Sequence, residues 1–360
     1  MALEQHPSAK ENQELHRRWR DARADWETEA RSDIDFYHGN HFSNAESEEL
    51  QSRNQADVAM DRISPAIEKL KSVITAKPPV FTAIPREDSD TKVASAWRTI
   101  LGYVWQVSSG DVHMKEAIHD YAVTGLGYLY VYIDHEADFG KGEVKFTSVN
   151  PFRVYVPPSS RDRFFQDADS IILSTILTGD QIVNLYPFLG AQMDEETQEI
   201  IPGLIEEISS YSEEDFPEGQ NKNSMSIQTP AEVKDLDSFS SERYQILERF
   251  FKTKVPFYRV LDSRSGEEMV LSDEEFAAFL QENPGVFERG LMSFEEVLQT
   301  RIGVVATVGE VVLYETVLNT DVYPVVPLPN IWSGTPYPKS DVSRTRPMQR
   351  LLNKLWSLAL

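Results

Sequence analysis

Cysteine does not occur anywhere in the 360-residue chain, which excludes disulfides, thiolate metal sites and a cysteine nucleophile together. Cations are also scarce: 35 Lys and Arg face 58 Asp and Glu, a formal net charge of −23. A surface this acidic repels nucleic acid and anionic lipid, so any contact with DNA has to be local or weak. No apolar run reaches bilayer-spanning length, and residues 1–19 lack the apolar stretch of a secretory signal. Together these absences predict a cytoplasmic protein with no membrane partner.

Catalytic signatures are missing as well. There is no G-x-x-x-x-G-K-[ST] loop and no G-x-S-x-G elbow, and Gly125 and Gly127 sit in a helix-to-strand turn rather than a strand-to-helix one. His38 with His41, and His113 with His119, come without a convincing third ligand, so they read as exposed or capping side chains and no metal is assigned. Adjacent carboxylates carry little information in a chain with 58 acids. No catalytic residue and no cofactor is expected. A metal-dependent hydrolase built on clustered carboxylates is a remote alternative.

What is present is a soluble globular composition, 41% hydrophobic and 11% aromatic, long enough for two or three domains. Leu15, Trp19, Ala22, Trp26, Ala30 and Ile34 recur at helical steps and predict one long amphipathic helix over residues 11–37, ended by Gly39 and Asn40. Ile63, Ile67, Leu70 and Ile74 mark a second helix, stopped by Lys77-Pro78-Pro79. A third has its predicted buried stripe at Val93, Trp97, Ile100 and Val104, and a fourth uses Met114, Ala117, Ile118 and Tyr121 up to Gly125.

From Gly127 the period becomes two, with Tyr128, Tyr130 and Tyr132 on one face, and further strands are predicted at 143–149, 152–156 and 169–177. The Trp19/Trp26 and tyrosine stripes read as core or subunit packing, since they lack the basic partners of a base-stacking platform. Thr178 to Gln181 is a capping box opening a short helix. Between Gly190 and Gln220 stand ten acids and no Lys or Arg, a boundary segment that runs on to a Ser-containing stretch.

Strand chemistry returns at Tyr244, with a turn at 263–266. Capping boxes at Ser272 to Glu275 and Ser293 to Glu296 predict short helices, and a hairpin turns at Gly309. Pro324, Pro327 and Pro329 make the approach to the last helix extended and stiff. That helix is capped by Ser340 or Ser343, requires Pro347 in its first turn, and spaces Met348, Leu351, Leu352, Leu355 and Leu358 helically. Gln349 and Asn353 share one of its faces. Lys339, Arg344, Arg346, Arg350 and Lys354 outnumber its one acid, Asp341, a local reversal of the overall charge. Such a helix is either a solvated or covered face or a local DNA-facing surface.

The order of these parts resembles the portal proteins of tailed bacteriophages, most closely those of short-tailed phages. The resemblance is carried by RISPAIEKLKSVITAKPPVFTAIP, HDYAVTGLGYLYVYID, VNPFRVYVPPSSRDRFFQDADSIILSTILTGDQIVNLYP, YQILERFF and YPVVPLPNIWSGTPYPKSDVSRTRPMQRLLNKL, with Gln349 and Asn353 matching a Q-x-x-x-N pattern.

The resemblance implies an α+β fold with long amphipathic helices, a small mixed sheet (wing), an inserted strand-helix-strand clip module and a return helix (stem). Its expected parts are a wing-like domain at 1–190, an acidic then Ser-rich segment at 191–243, a clip-like module at 244–320, and a return strand and channel helix at 321–360. The family normally continues past this helix into further wing and crown sequence, so a C-terminal part is expected to be lacking.

The implied function is a ring, usually of twelve copies, that forms the DNA channel at one capsid vertex and serves packaging, retention, ejection and tail attachment. Implied partners are further copies of the chain, double-stranded DNA passing non-specifically, terminase, a tail adaptor, and capsid and scaffolding proteins. The implied location is the virion, after assembly in the host cytoplasm. Arg344, Arg346, Arg350 and Lys354 are the candidate channel cations, and Phe279, Phe287, Leu291 and Phe294 the candidate partner-docking residues. Another virion structural protein, a head-tail adaptor or a baseplate component, is the alternative.

Overall fold

The computed structural model describes residues 8–85, 91–189, 192–193, 200–201, 243–262, 268–283 and 292–359. Phe287, Leu291, the turn at 263–266 and most of the acidic segment lie outside them. In chain order the elements are α1 (Ala9–Ala22), α2 (Ala24–Tyr37), α3 (Asn44–Ser52), α4 (Ile63–Ile74), α5 (Thr91–Val107), α6 (Gly110–Val123), β1 (Leu126–Asp134), β2 (Glu143–Val149), β3 (Val154–Tyr155) and β4 (Ser170–Thr178). There follow α7 (Gly179–Leu185), β5 (Arg243–Asp262), β6 (Glu268–Ser272), α8 (Asp273–Glu282), β7 (Met292–Val308), β8 (Val311–Leu318), β9 (Val325–Pro329) and α9 (Asp341–Ala359). The fold is α+β, in two compact units: Met1–Leu15 with Asp169–Tyr323, and His16–Ala168 with Pro324–Leu360.

The first unit is built on one long antiparallel ribbon, β5 with β7, paired from Ile246↔Val308 to Asp262↔Met292. Its base is widened by β4 on β5 and by β8 on β7. There both faces are covered, and Ile302 and residues 304–308 of β7 are buried without alternation. Gly303 stands opposite Phe251, and a Cβ there would meet the Phe251 ring at 2.6 Å. Ile182, Leu189, Tyr244, Ile246, Ala306, Val308 and Leu313 form the core under α7, whose capping box from Thr178 to Gln181 is made as predicted.

At the distal end β6 pairs with residues 257–261 of β5, and α8 starts from the predicted capping box of Ser272 and Glu275. Ser293 to Glu296 starts no helix, because it belongs to β7. Each of these residues has a ladder partner on β5, and Arg259 binds both Glu295 and Glu268. Cross-strand pairing outweighs the local capping signal there. Phe276 stacks on Tyr258 at 4.0 Å and packs against Phe294, which is left half exposed, while Phe279 is half-buried on α8.

The second unit packs α2, α4 and α6 around Phe36, Ile63, Ile67, Ala122, Val123 and Val342. Its sheet has the order β9-β1-β2, antiparallel throughout. The prolines of the stiff approach thus lie on an edge strand, where a missing N–H costs least.

The helix predicted over 11–37 is two helices, broken at Arg23. Arg23 is fully buried. It donates to the carbonyl oxygens of Val154 at 2.7 Å and Phe152 at 2.6 Å, with its guanidinium 3.7 Å from the Tyr155 ring centre and Glu27 at 3.4 Å. A residue that reads as solvated is therefore a structural cation.

The stripe of α5 is a second correction. Val93, Trp97 and Ile100 are about half exposed, and the packed side is that of Ala94 and Trp105, whose ring lies against Phe81 and Phe146.

Candidate functional site

Helix α9 is positioned from its first residue onward. Gly125, just past α6, has φ +88°, and a Cβ there would lie 2.6 Å from the Pro338 carbonyl oxygen, so the approach to α9 rests directly on this glycine. Asn330 ties the same point together: its N–H donates to Gly125 O at 2.9 Å, and its amide donates to Tyr121 O at 3.1 Å and Asp341 at 2.9 Å.

Ser340 is the N-cap. Its hydroxyl oxygen accepts from Ser343 N–H at 2.8 Å while the hydroxyl donates to Asp33 on α2 at 2.6 Å. Asp33 also accepts from Arg346 at 2.7 Å, and Ser343 donates to Glu29 at 2.7 Å. Burial pushes the Asp33 carboxyl up to about 6, against the lowering pull of Ser340 and Arg346.

Pro347 sits in the second turn, not the first as the sequence requires. The helix passes through it with its inner face held on both sides, by Arg346 before and Gln349 after. Tertiary bonds compensate for the lost N–H.

Beyond Pro347 the inner face is polar. Gln349, Asn353 and Ser357, four residues apart, are all buried. Gln349 accepts from Arg62 N–H at 3.1 Å and donates to Met60 O and to Asn353, both at 2.7 Å. The Asn353 oxygen also accepts from Met60 N–H at 3.3 Å, which leaves its amide nitrogen to donate to His41 Nδ1 at 2.9 Å. His41 Nε2 lies 3.0 Å from Phe36 O, so the ring carries its proton on Nε2. His41 is thus buried inside a clamp, where the sequence suggests an exposed or capping side chain. The clamp joins the loop after α2, the segment before α4 and the final helix.

The outer face of α9 is apolar: Met348, Leu351, Leu355 and Leu358 are each more than half exposed. The amphipathic stripe of the sequence is therefore the solvent side of this chain. Polar residues take the inner side because they alone satisfy the backbone groups of Met60 and Arg62.

Of the four candidate cations, Arg346 is paired with Asp33 and near Glu29. Arg350 lies over the Phe36 ring at 5.2 Å but remains exposed. Arg344 and Lys354 are exposed, and their side chains make no hydrogen bond or ion pair among the described residues. At helical spacing Arg344 heads the apolar stripe, and Arg350 and Lys354 line one flank of it.

A family model described as phage P22-like portal protein matches residues 13–360. The match contains every element of both units except the first turn of α1. No curated protein matches the chain.

Proposed function

The chain belongs to the phage P22-like portal protein family, and on that premise we propose how its last helix serves the DNA channel. As a portal it is a structural protein of the virion that forms a homo-oligomeric ring, with the channel for DNA, at the capsid vertex. The reading proposed beyond this is a ring of about twelve copies, assembled in the host cytoplasm. Terminase drives double-stranded DNA through it, and it then retains the genome, passes it at ejection and holds a tail adaptor. It performs no chemistry of its own.

Arg344, Arg350 and Lys354 present sparse positive charge to passing DNA, while Arg346 spends its charge on Asp33 and holds the helix. Sparse cations in a chain of net charge −23 favour sliding, because phosphates neutralised at many subunits at once would hold the duplex fast. Residues 1–190 act as the wing, 191–243 as its acidic link, 244–320 as the clip and 321–360 as the stem. Phe279 and Phe294, together with the sequence candidates Phe287 and Leu291, receive the adaptor.

The family match over residues 13–360 carries this reading. It is tested by the triple change Arg344→Gln, Arg350→Gln, Lys354→Gln in an infecting phage. Intact rings with altered packaged DNA length or retention are expected. Loss of the rings, or rings with unchanged DNA handling, removes the assignment.

A further inference from the structure

Two exposed apolar seams in the second unit match one another. On α5, Val93, Trp97, Ile100 and Val104 recur at steps of four, three and four; on α9, Met348, Leu351, Leu355 and Leu358 recur at steps of three, four and three. These are the spacings of helices that pack along a common seam. Apart from the half-buried Val104, their residues are between 47 and 71% exposed, and neither seam carries a charged residue within it. Each seam offers on the order of 500 Å² of apolar surface, more than isolated surface residues would leave. Beside the α9 seam a groove of about 500 Å³ runs between α4 and α9, lined mainly by Ala66, Ile67, Leu70, Met348 and Leu352, with the charged Arg62 and Asp341 also in its wall.

We infer that the α5 seam of one copy docks on the α9 seam of the next, with Trp97 as the anchor in the α4/α9 groove. The inference rests on the ring reading above. A closed ring of identical chains is heterologous: each copy meets its two neighbours through two different, complementary patches. Among the described residues the second unit bears an exposed apolar ridge with a large aromatic, and a groove lined mainly by apolar side chains. Joining them leaves Arg344, Arg350 and Lys354 at the head and flank of the seam, and the two seams together supply more than half of the ~1,600 Å² total of a standard interface. Tryptophan in a pocket at the centre of such a contact is the side chain expected to dominate it.

The absence of cysteine makes the test clean. The full protein carrying both Trp97→Cys and Leu351→Cys is treated with a short bis-maleimide and run under denaturing conditions, with the two single variants beside it. The expected result is a ladder of covalent multimers from the double variant and single chains from each single variant. Rings of full mass with no ladder overturn the α5–α9 contact but leave the ring intact. Covalent dimers from Trp97→Cys alone overturn it in favour of a two-fold contact. An unsubstituted protein that never leaves the single-chain mass removes both the contact and the ring. Independently, Trp97→Asp with Ile100→Asp should abolish rings while leaving the circular dichroism unchanged, and rings that persist contradict the inference.

Discussion

Replacing Asn353 by leucine, a side chain of similar volume, removes three hydrogen bonds at once. Met60 N–H, the Gln349 amide and His41 Nδ1 each lose a partner, while Gln349 keeps its bonds to Met60 O and Arg62 N–H. A buried polar group left unpaired costs about 1–3 kcal/mol, so with partial relief at Met60 the loss should be about 3–5 kcal/mol. For a unit of this size 1 kcal/mol moves the midpoint by roughly 2–4 °C, so Asn353→Leu should lower Tm by about 10 °C. Thermal unfolding followed by tryptophan fluorescence measures the shift, and amide exchange at residues 60–62 localises it. The isosteric Asn353→Asp sharpens the test, because it sets a carboxylate oxygen against the lone pair of His41 Nδ1. Its loss of stability should be at least as large as that of the leucine variant. A Tm within about 2 °C of the parent, with unchanged exchange at residues 60–62, would refute the clamp as a stabilising element.

Arg23→Lys should cost about 3 kcal/mol in urea unfolding, because one ammonium cannot serve the Phe152 and Val154 carbonyls in the fork geometry of the guanidinium; an unchanged midpoint would contradict its structural role. Gly125→Ala should lose at least about 2 kcal/mol of stability, since it meets both a positive φ and the Pro338 carbonyl; normal stability would mean the approach to α9 can move aside. Burial, aided by Glu116, pushes the Asp120 carboxyl from 3.8 to about 7. The folded chain therefore binds more protons than the unfolded one between these values, and this contribution to stability is lost as pH rises through about 7. Asp120→Asn should flatten that part of the Tm–pH curve and add on the order of 2 kcal/mol above it; an unaltered curve would exclude Asp120 as its source.

The sequence discloses best what local chemistry decides. The capping boxes at Thr178 and Ser272, the two-residue period of β1 and the hairpin at Gly309 all form as the residues suggest, because each depends on neighbours a few positions away. The Ser293 box fails because its residues have partners on β5 some 30 positions off. The clamp was visible only as a pair sharing a face, since the groups that Gln349 and Asn353 bind outside α9 lie 287 to 312 residues away. Arg23 carried no signal at all, as a buried guanidinium and a solvated one are spelled alike. Periodicity located the apolar stripes of α5 and α9 but could not say whether the same chain covers them, and in both cases most of the stripe faces solvent. Burial is a property of the fold, and in a ring-forming protein of the assembly.

Native mass spectrometry of the purified protein tests membership of a ring most directly. A single closed species of about twelve chains, unchanged on dilution, is the predicted result. A protein that remains a single chain, or forms only two-fold dimers, at every concentration would contradict the account.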